Sequence, residues 1–157
     1  MIALSYNIHM TEEQFRVEIE KKRKWFYSVN SVHCRYLNEA VIFNKHGFQH
    51  TLRDGRGHYR GQKDALMRLN LLPWAPIVIR NSIYMPNTEL RDINHPKNKL
   101  GKPVTYFELQ CVVKANNRRN GRKKYTDITV ILRRIGDGPL HYYSIRYTKH
   151  GYKDISE

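Results

Sequence analysis

The chain has 157 residues, enough for one domain, and its 40% hydrophobic and 11% aromatic content is too apolar for a disordered tail. Mean hydropathy is -0.70. No apolar run approaches the roughly 18 residues of a membrane span, so a membrane partner is not expected. Lys and Arg total 28 against 14 acids, a net charge of +14, and a globular chain so biased meets something anionic.

The charge is uneven. Residues 1–40 are close to neutral, whereas 41–100 and 101–157 carry most of the excess. The polyanion-facing part is therefore expected after the first helix. Cys34 and Cys111 fit no metal or redox spacing and read as reduced small hydrophobes. The opening residues are too few and too polar for a signal-peptide core, and a cytoplasmic chain, or one delivered into a target cell, is expected.

In chain order, residues 11–30 read as a helix, with Thr11 and Gln14 at capping-box spacing and Phe15, Ile19 and Phe26 on one stripe. Its run Lys21-Lys22-Arg23-Lys24 reads as a solvated face. Residues 40–43 are short and apolar, like a buried strand. The segment 45–61, KHGFQHTLRDGRGHYRG, is too rich in glycine for a helix throughout and too polar for a core strand. Residues 62–72 return to helical spacing, with Ala65, Leu66, Leu69 and Leu72 on one side and Pro73 ending the helix. Residues 76–80 read as a strand and 86–103 as a loop.

From 104 the period becomes two. Phe107, Leu109, Cys111 and Val113 share one face, as do Ile128, Val130 and Leu132. Asn120-Gly121 predicts a hairpin tip, Gly136-Asp137-Gly138-Pro139 a second turn, and 140–148 a third strand. The expected fold is α+β over one domain, residues 1–157. Its N-terminal helices pack on a twisted antiparallel sheet of about four strands ending in a meander. Within it, 1–37 form a helical segment and 38–150 the core.

Cleaving RNA without a metal requires a base for the ribose 2′-hydroxyl, cations for the phosphorane-like charge and an acid for the leaving oxygen. Histidine titrates in the right range, and arginine's fork binds two phosphate oxygens. Segment 45–61 supplies both. His46 and His50, four apart, have zinc spacing on a helix, but a third ligand is not evident. A metal-dependent site would need a carboxylate such as Asp54 or Asp127. Trp25 and Trp74 read as core or edge aromatics.

The order of strand, histidine segment, basic residues, helix ending near proline, strand and meander resembles a known family. It is similar to the metal-independent ribonuclease superfamily of barnase, EndoU, colicin and RelE type (the BECR fold), especially its phage-associated branch. The matching stretches are AVIFNKHGFQH at 40–50, ALMRLNLLPWAPIVI at 65–79 and HYYSIRYT at 141–148. The likeness covers roughly 38–150 and leaves the N-terminal helix aside. It implies an endoribonuclease leaving a 2′,3′-cyclic phosphate, with His50 as acid or base and His46 its rival. The stretch between His50 and the next helix is longer and more glycine-rich than the family pattern. Arg53 or Arg56 would hold the scissile phosphate and Ser144 would complete the site. Strand alternation sends Tyr142, Ser144 and Arg146 to the cleft and His141, Tyr143, Ile145 and Tyr147 to the core. Lys45, His58, Arg60 and the basic tip with Arg118, Arg119, Arg122 and Lys123 would grip the backbone. The resemblance implies RNA as partner, no cofactor, and an acidic immunity or antitoxin protein. A binding module without catalysis is the alternative on the same charge.

Overall fold

The computed structural model describes residues 10–82, 88–91, 101–116 and 123–148. Helix α1 runs Glu12–Val29. The Thr11 hydroxyl accepts from the Gln14 amide at 3.2 Å, and the Gln14 side chain accepts from the Thr11 amide at 3.0 Å, so two N–H groups that the helix cannot satisfy are paired. Phe26 is fully buried against Phe43, Phe48 and Tyr142. The helix that the family likeness left aside thus belongs to the central core.

Strand β1, Ser31–Cys34, pairs antiparallel with β2, Glu39–Ile42. Helix α2 spans Lys45–Leu52, where the glycine content argued against a helix. Two local causes make it one: the Asn44 side chain caps the Gly47 amide, and its sole internal glycine sits where the helix is pressed against a strand. A small hairpin follows, then helix α3, Gln62–Leu71, a 3-10 turn at Leu72–Trp74 containing Pro73, and helix α4, Ala75–Asn81.

The strand expected at 76–80 is therefore a helix. Ala75, Pro76, Val78 and Ile79 are all buried. Pro76 lies in the first turn, where a missing N–H costs nothing, and burial on one side outweighs the strand preference of Val and Ile.

Strand β3, Thr88–Arg91, lies inside the stretch expected to be a loop. Strands β4, Val104–Asn116, and β5, Lys123–Ile135, pair antiparallel along their whole length, from Val104↔Ile135 to Asn116↔Lys123. The residues expected to form their tip, 117–122, lie outside the described residues. Strand β6, Leu140–Tyr147, returns along β5 after the turn at Gly136, whose φ is +55°. The sheet has six strands, ordered β1-β2-β6-β5-β4-β3, rather than four. It is antiparallel except where β2 meets β6, at Val41↔Leu140 and Ile42↔His141.

Period-two patterning holds on β4 and β5: Leu109, Val113, Ile128, Val130 and Leu132 are buried together. On β6 it fails. Leu132 pairs with Tyr142 but Ile131 pairs with Ser144, so Tyr143 is an extra residue, a β-bulge. Residues before and after the bulge are out of phase with simple alternation. Tyr142 and Ile145 are both fully buried, whereas His141 pairs with Arg133 on the other face.

Candidate functional site

Strand β2 stops after two pairs with β6, and α2 takes up the vacated edge. The approach is close: a Cβ on Gly47 would lie 2.5 Å from the Tyr142 carbonyl oxygen and 2.8 Å from its ring. Only glycine allows this contact. Phe48 and Thr51 then turn into the core, while His50 stacks on Tyr143, ring centroids 3.9 Å apart.

Tyr143 is a shared platform. The Arg133 guanidinium lies over its ring at 4.9 Å, and Tyr106 meets it edge-on at 5.1 Å. Arg133 comes from β5 and His50 from α2, which flank β6 on opposite sides. Arg133 also pairs across the strands with His141 and Tyr106.

His141 is fixed from below. The Asn44 side-chain oxygen accepts from the Gly47 amide at 3.3 Å, which leaves its NH2 to donate to His141 Nδ1 at 2.9 Å. A neutral His141 therefore carries its proton on Nε2. Burial, then Arg133, then His46 lower its proton affinity. His46, exposed in the first turn of α2, is thus an electrostatic neighbour of His141.

His50 sits in a more positive setting. Burial first, then the guanidinium groups of Arg60, Arg68 and Arg133, push its pKa down to about 4, with Asp54 opposing weakly. Its Nδ1 is buried without a hydrogen-bond partner. At neutral pH it is an uncharged imidazole beside three cations, a setting that favours a bound anion.

A second network braces this edge. Arg60 donates to the His50 carbonyl from Nε and Nη2, each at 3.4 Å. Asp64 accepts from Arg60 at 3.1 Å and from Arg68 at 3.2 Å. Arg68 donates in turn to Ser144 Oγ at 3.0 Å and the Ile145 carbonyl at 3.1 Å. The chain from α2 to α3 to β6 is continuous.

His50 and His46, the two candidate acid–base residues of the sequence, lie at this junction, and Arg60 reaches it. Ser144 is also there, but it is buried and accepts a hydrogen bond from Arg68, so it braces the edge rather than facing a ligand. Tyr142 does not face a cleft: it is 1% exposed in the aromatic core, stacked on Phe43, because the bulge reverses the face. Burial raises its hydroxyl's pKa, and that hydroxyl, near Thr51, lacks a well-directed hydrogen bond. His141 and Tyr143, expected in the core, are instead half-buried members of the cluster.

Arg53 is turned away into its own hairpin, donating to the Gly57 carbonyl and the Tyr59 hydroxyl. Arg56 and His58 are exposed in the same hairpin, where the Asp54 carboxylate accepts both their amides. Lys45 is exposed beside His46. Arg146 pairs with Glu108 at 3.0 Å. Lys123 is placed by its backbone alone, opposite Asn116, and Arg118, Arg119 and Arg122 lie outside the described residues.

Arg133 and His141 were missed from the sequence. Arg133 was readable, since it alternates with buried Val130 and Leu132 on β5. His141 was not, because nothing in the sequence marks the bulge.

Among the described residues, no three His, Cys, Asp or Glu side chains are grouped closely enough to hold a metal ion. Cys34 and Cys111 are both free. No helix among those residues is long and apolar enough to cross a membrane. Searches of protein-family models, curated proteins and solved structures found no match to the chain. What the geometry defines is an α+β protein with a histidine–arginine–tyrosine cluster at the junction of α2, β5 and β6.

Proposed function

We propose that the chain is a metal-independent endoribonuclease that cleaves RNA by attack of the ribose 2′-hydroxyl. The observation that carries this reading is the place of Arg133: its guanidinium lies over the Tyr143 ring on which His50 stacks, and its strand partner on β6 is His141, so one cation neighbours two groups able to move protons. A phosphodiester seated against Arg133, with Arg60 and Arg68 held behind it by Asp64, offsets the positive charge around His50, which raises its proton affinity in the complex. His50 then takes the 2′-hydroxyl proton as the 2′-oxygen bonds to phosphorus. The P–O5′ bond breaks as the His46/His141 pair gives a proton to the 5′-oxygen; the bound phosphodiester offsets Arg133 beside His141, and the Asn44 amide turns its oxygen to His141 Nδ1 when that imidazole carries the second proton. Arg133 stabilises the charge gathered on the phosphoryl oxygens. The products are a 2′,3′-cyclic phosphate and a free 5′-hydroxyl.

The net charge of +14 supports RNA as the partner, and it suits an acidic inhibitor protein that covers the same surface. The order β2, α2, α3 and the β4–β6 meander supports kinship with the barnase, EndoU, colicin and RelE type of ribonuclease, while helix α4 in place of the expected strand at 76–80 departs from that pattern. A reading without catalysis draws on one observation: at a pKa of about 4, His50 of the free protein is a weak base.

The variants His50→Ala, His141→Ala and Arg133→Ala separate the two. Each is expected to lower RNA cleavage about 10²- to 10⁴-fold, the range of one acid–base or electrostatic group. RNA that stays intact with the parent protein at high concentration, while binding remains tight and salt-sensitive, would favour the binding module.

A further inference from the structure

The hairpin between α2 and α3 holds an exposed tyrosine more firmly than folding requires. Tyr59 is 73% exposed, the most open large hydrophobic side chain among the described residues. An exposed tyrosine is ordinarily free to change rotamer. This one is held at its side chain by two contacts from Arg53, and the hairpin that carries it is held by its own backbone bonds. The Arg53 guanidinium lies over its ring at 4.0 Å, and Arg53 Nη2 donates to its hydroxyl at 2.7 Å. The backbones of Arg53 and Tyr59 pair as an antiparallel bridge. At the loop end, Asp54 Oδ1 accepts the Arg56 and His58 amides at 2.8 and 3.0 Å, and Arg53 Nη1 donates to the Gly57 carbonyl at 3.1 Å.

The guanidinium covers one ring face, and the other opens to solvent. An aromatic ring backed by a cation is a prepared stacking surface, because its rotamer entropy is already lost before a ligand arrives. Its position gives it a partner. Tyr59 directly precedes Arg60, whose guanidinium is bonded to the His50 carbonyl. Exposed Arg56 and His58 stand beside it to meet a backbone.

We propose that Tyr59 is a stacking platform for an unpaired nucleobase neighbouring the phosphate held at the histidine cluster. This rests on the ribonuclease reading for its placement and sets the substrate class as single-stranded RNA. A duplex keeps its bases stacked on one another and offers none to the ring.

The test separates stacking from cleavage. A short RNA, 2′-O-methylated throughout so that no 2′-hydroxyl can attack, carries one 2-aminopurine whose fluorescence is quenched on stacking. The parent protein is expected to quench it. Tyr59→Phe should retain quenching, while Tyr59→Ala should lose it and bind about 5- to 150-fold more weakly, the worth of one stacked base. The same strand annealed to its complement should bind without quenching. Equal quenching and affinity in Tyr59→Ala, or equal quenching of the duplex, would overturn the proposal. Quenching that depends on Tyr59, from a parent protein that leaves ordinary RNA uncut, would uphold the platform and refute the ribonuclease.

Discussion

Replacing Gly47 with alanine tests the seat of the whole site. In an ordinary helix the change is stabilising by about 1 kcal/mol, because alanine loses less backbone entropy. Here the new Cβ would stand 2.5 Å from a backbone oxygen of β6 and 2.8 Å from the Tyr142 ring, with Phe26 at 3.4 Å. A backbone oxygen in a sheet cannot give way as a surface side chain can, so α2 must move off β6. Overpacking of this kind costs about 1–3 kcal/mol, occasionally more. The net expectation is the loss of the helix gain and a further loss of up to about 2 kcal/mol, or up to roughly 4–8 °C in melting temperature for a chain of this size. Urea unfolding followed by circular dichroism measures it. Gly55→Ala, where a Cβ meets nothing within 4 Å, is the control and should stay within about 0.5 kcal/mol. Because Gly47 seats the helix that carries His50 onto Tyr143, the variant should also lose cleavage out of proportion to its stability. Stability raised by the full helix preference would refute the close approach and the edge geometry built on it.

Acid should weaken the fold through His50. Its folded pKa of about 4 lies below the ordinary 6.5, so its contribution is whole above pH 6.5 and is lost as pH falls toward 4. The full shift corresponds to about 3 kcal/mol, reduced by solvent screening of a half-buried ring to about 1–2 kcal/mol. Stability curves between pH 7 and 4.5 should steepen for the parent relative to His50→Phe, which keeps a ring on Tyr143 but does not titrate; parallel curves would refute the burial of neutral His50. Arg68→Ala should cost about 1–3 kcal/mol in unfolding experiments, because it strands Ser144 Oγ and the Ile145 carbonyl. No loss would mean that the brace is idle. For RNA binding, Arg133→Ala should lower the slope of log affinity against log salt by about 0.7, one phosphate contact on a single strand. An unchanged slope would remove Arg133 from the phosphate site.

Much of the fold was legible because its signals are local. The Thr11–Gln14 box marks α1, and strict alternation marks β4 and β5. Where long-range packing decides, the signal fails. Residues 76–80 carry strand-forming side chains but are buried as a helix. Gly47 reads as a helix breaker until β6 is seen against it. Strand β1 has only four residues, too few to show a period. The site was half legible: His46, His50 and Arg60 stood out by composition, whereas Tyr142 and His141 exchanged faces through one inserted residue at Tyr143. Arg53 looked like a phosphate ligand because no sequence rule reveals that its guanidinium is spent on Tyr59.

The most direct measurement is the chemistry of the ends. Purified parent protein and its His50→Ala and His141→Ala variants would each be mixed with a short labelled RNA in excess EDTA, and the products examined for 2′,3′-cyclic phosphate. Cyclic phosphate ends from the parent, and little or none from either variant while both remain folded, is the predicted result. Uncut RNA with the parent, or equal cleavage by all three proteins, would contradict the ribonuclease site assigned to α2, β5 and β6.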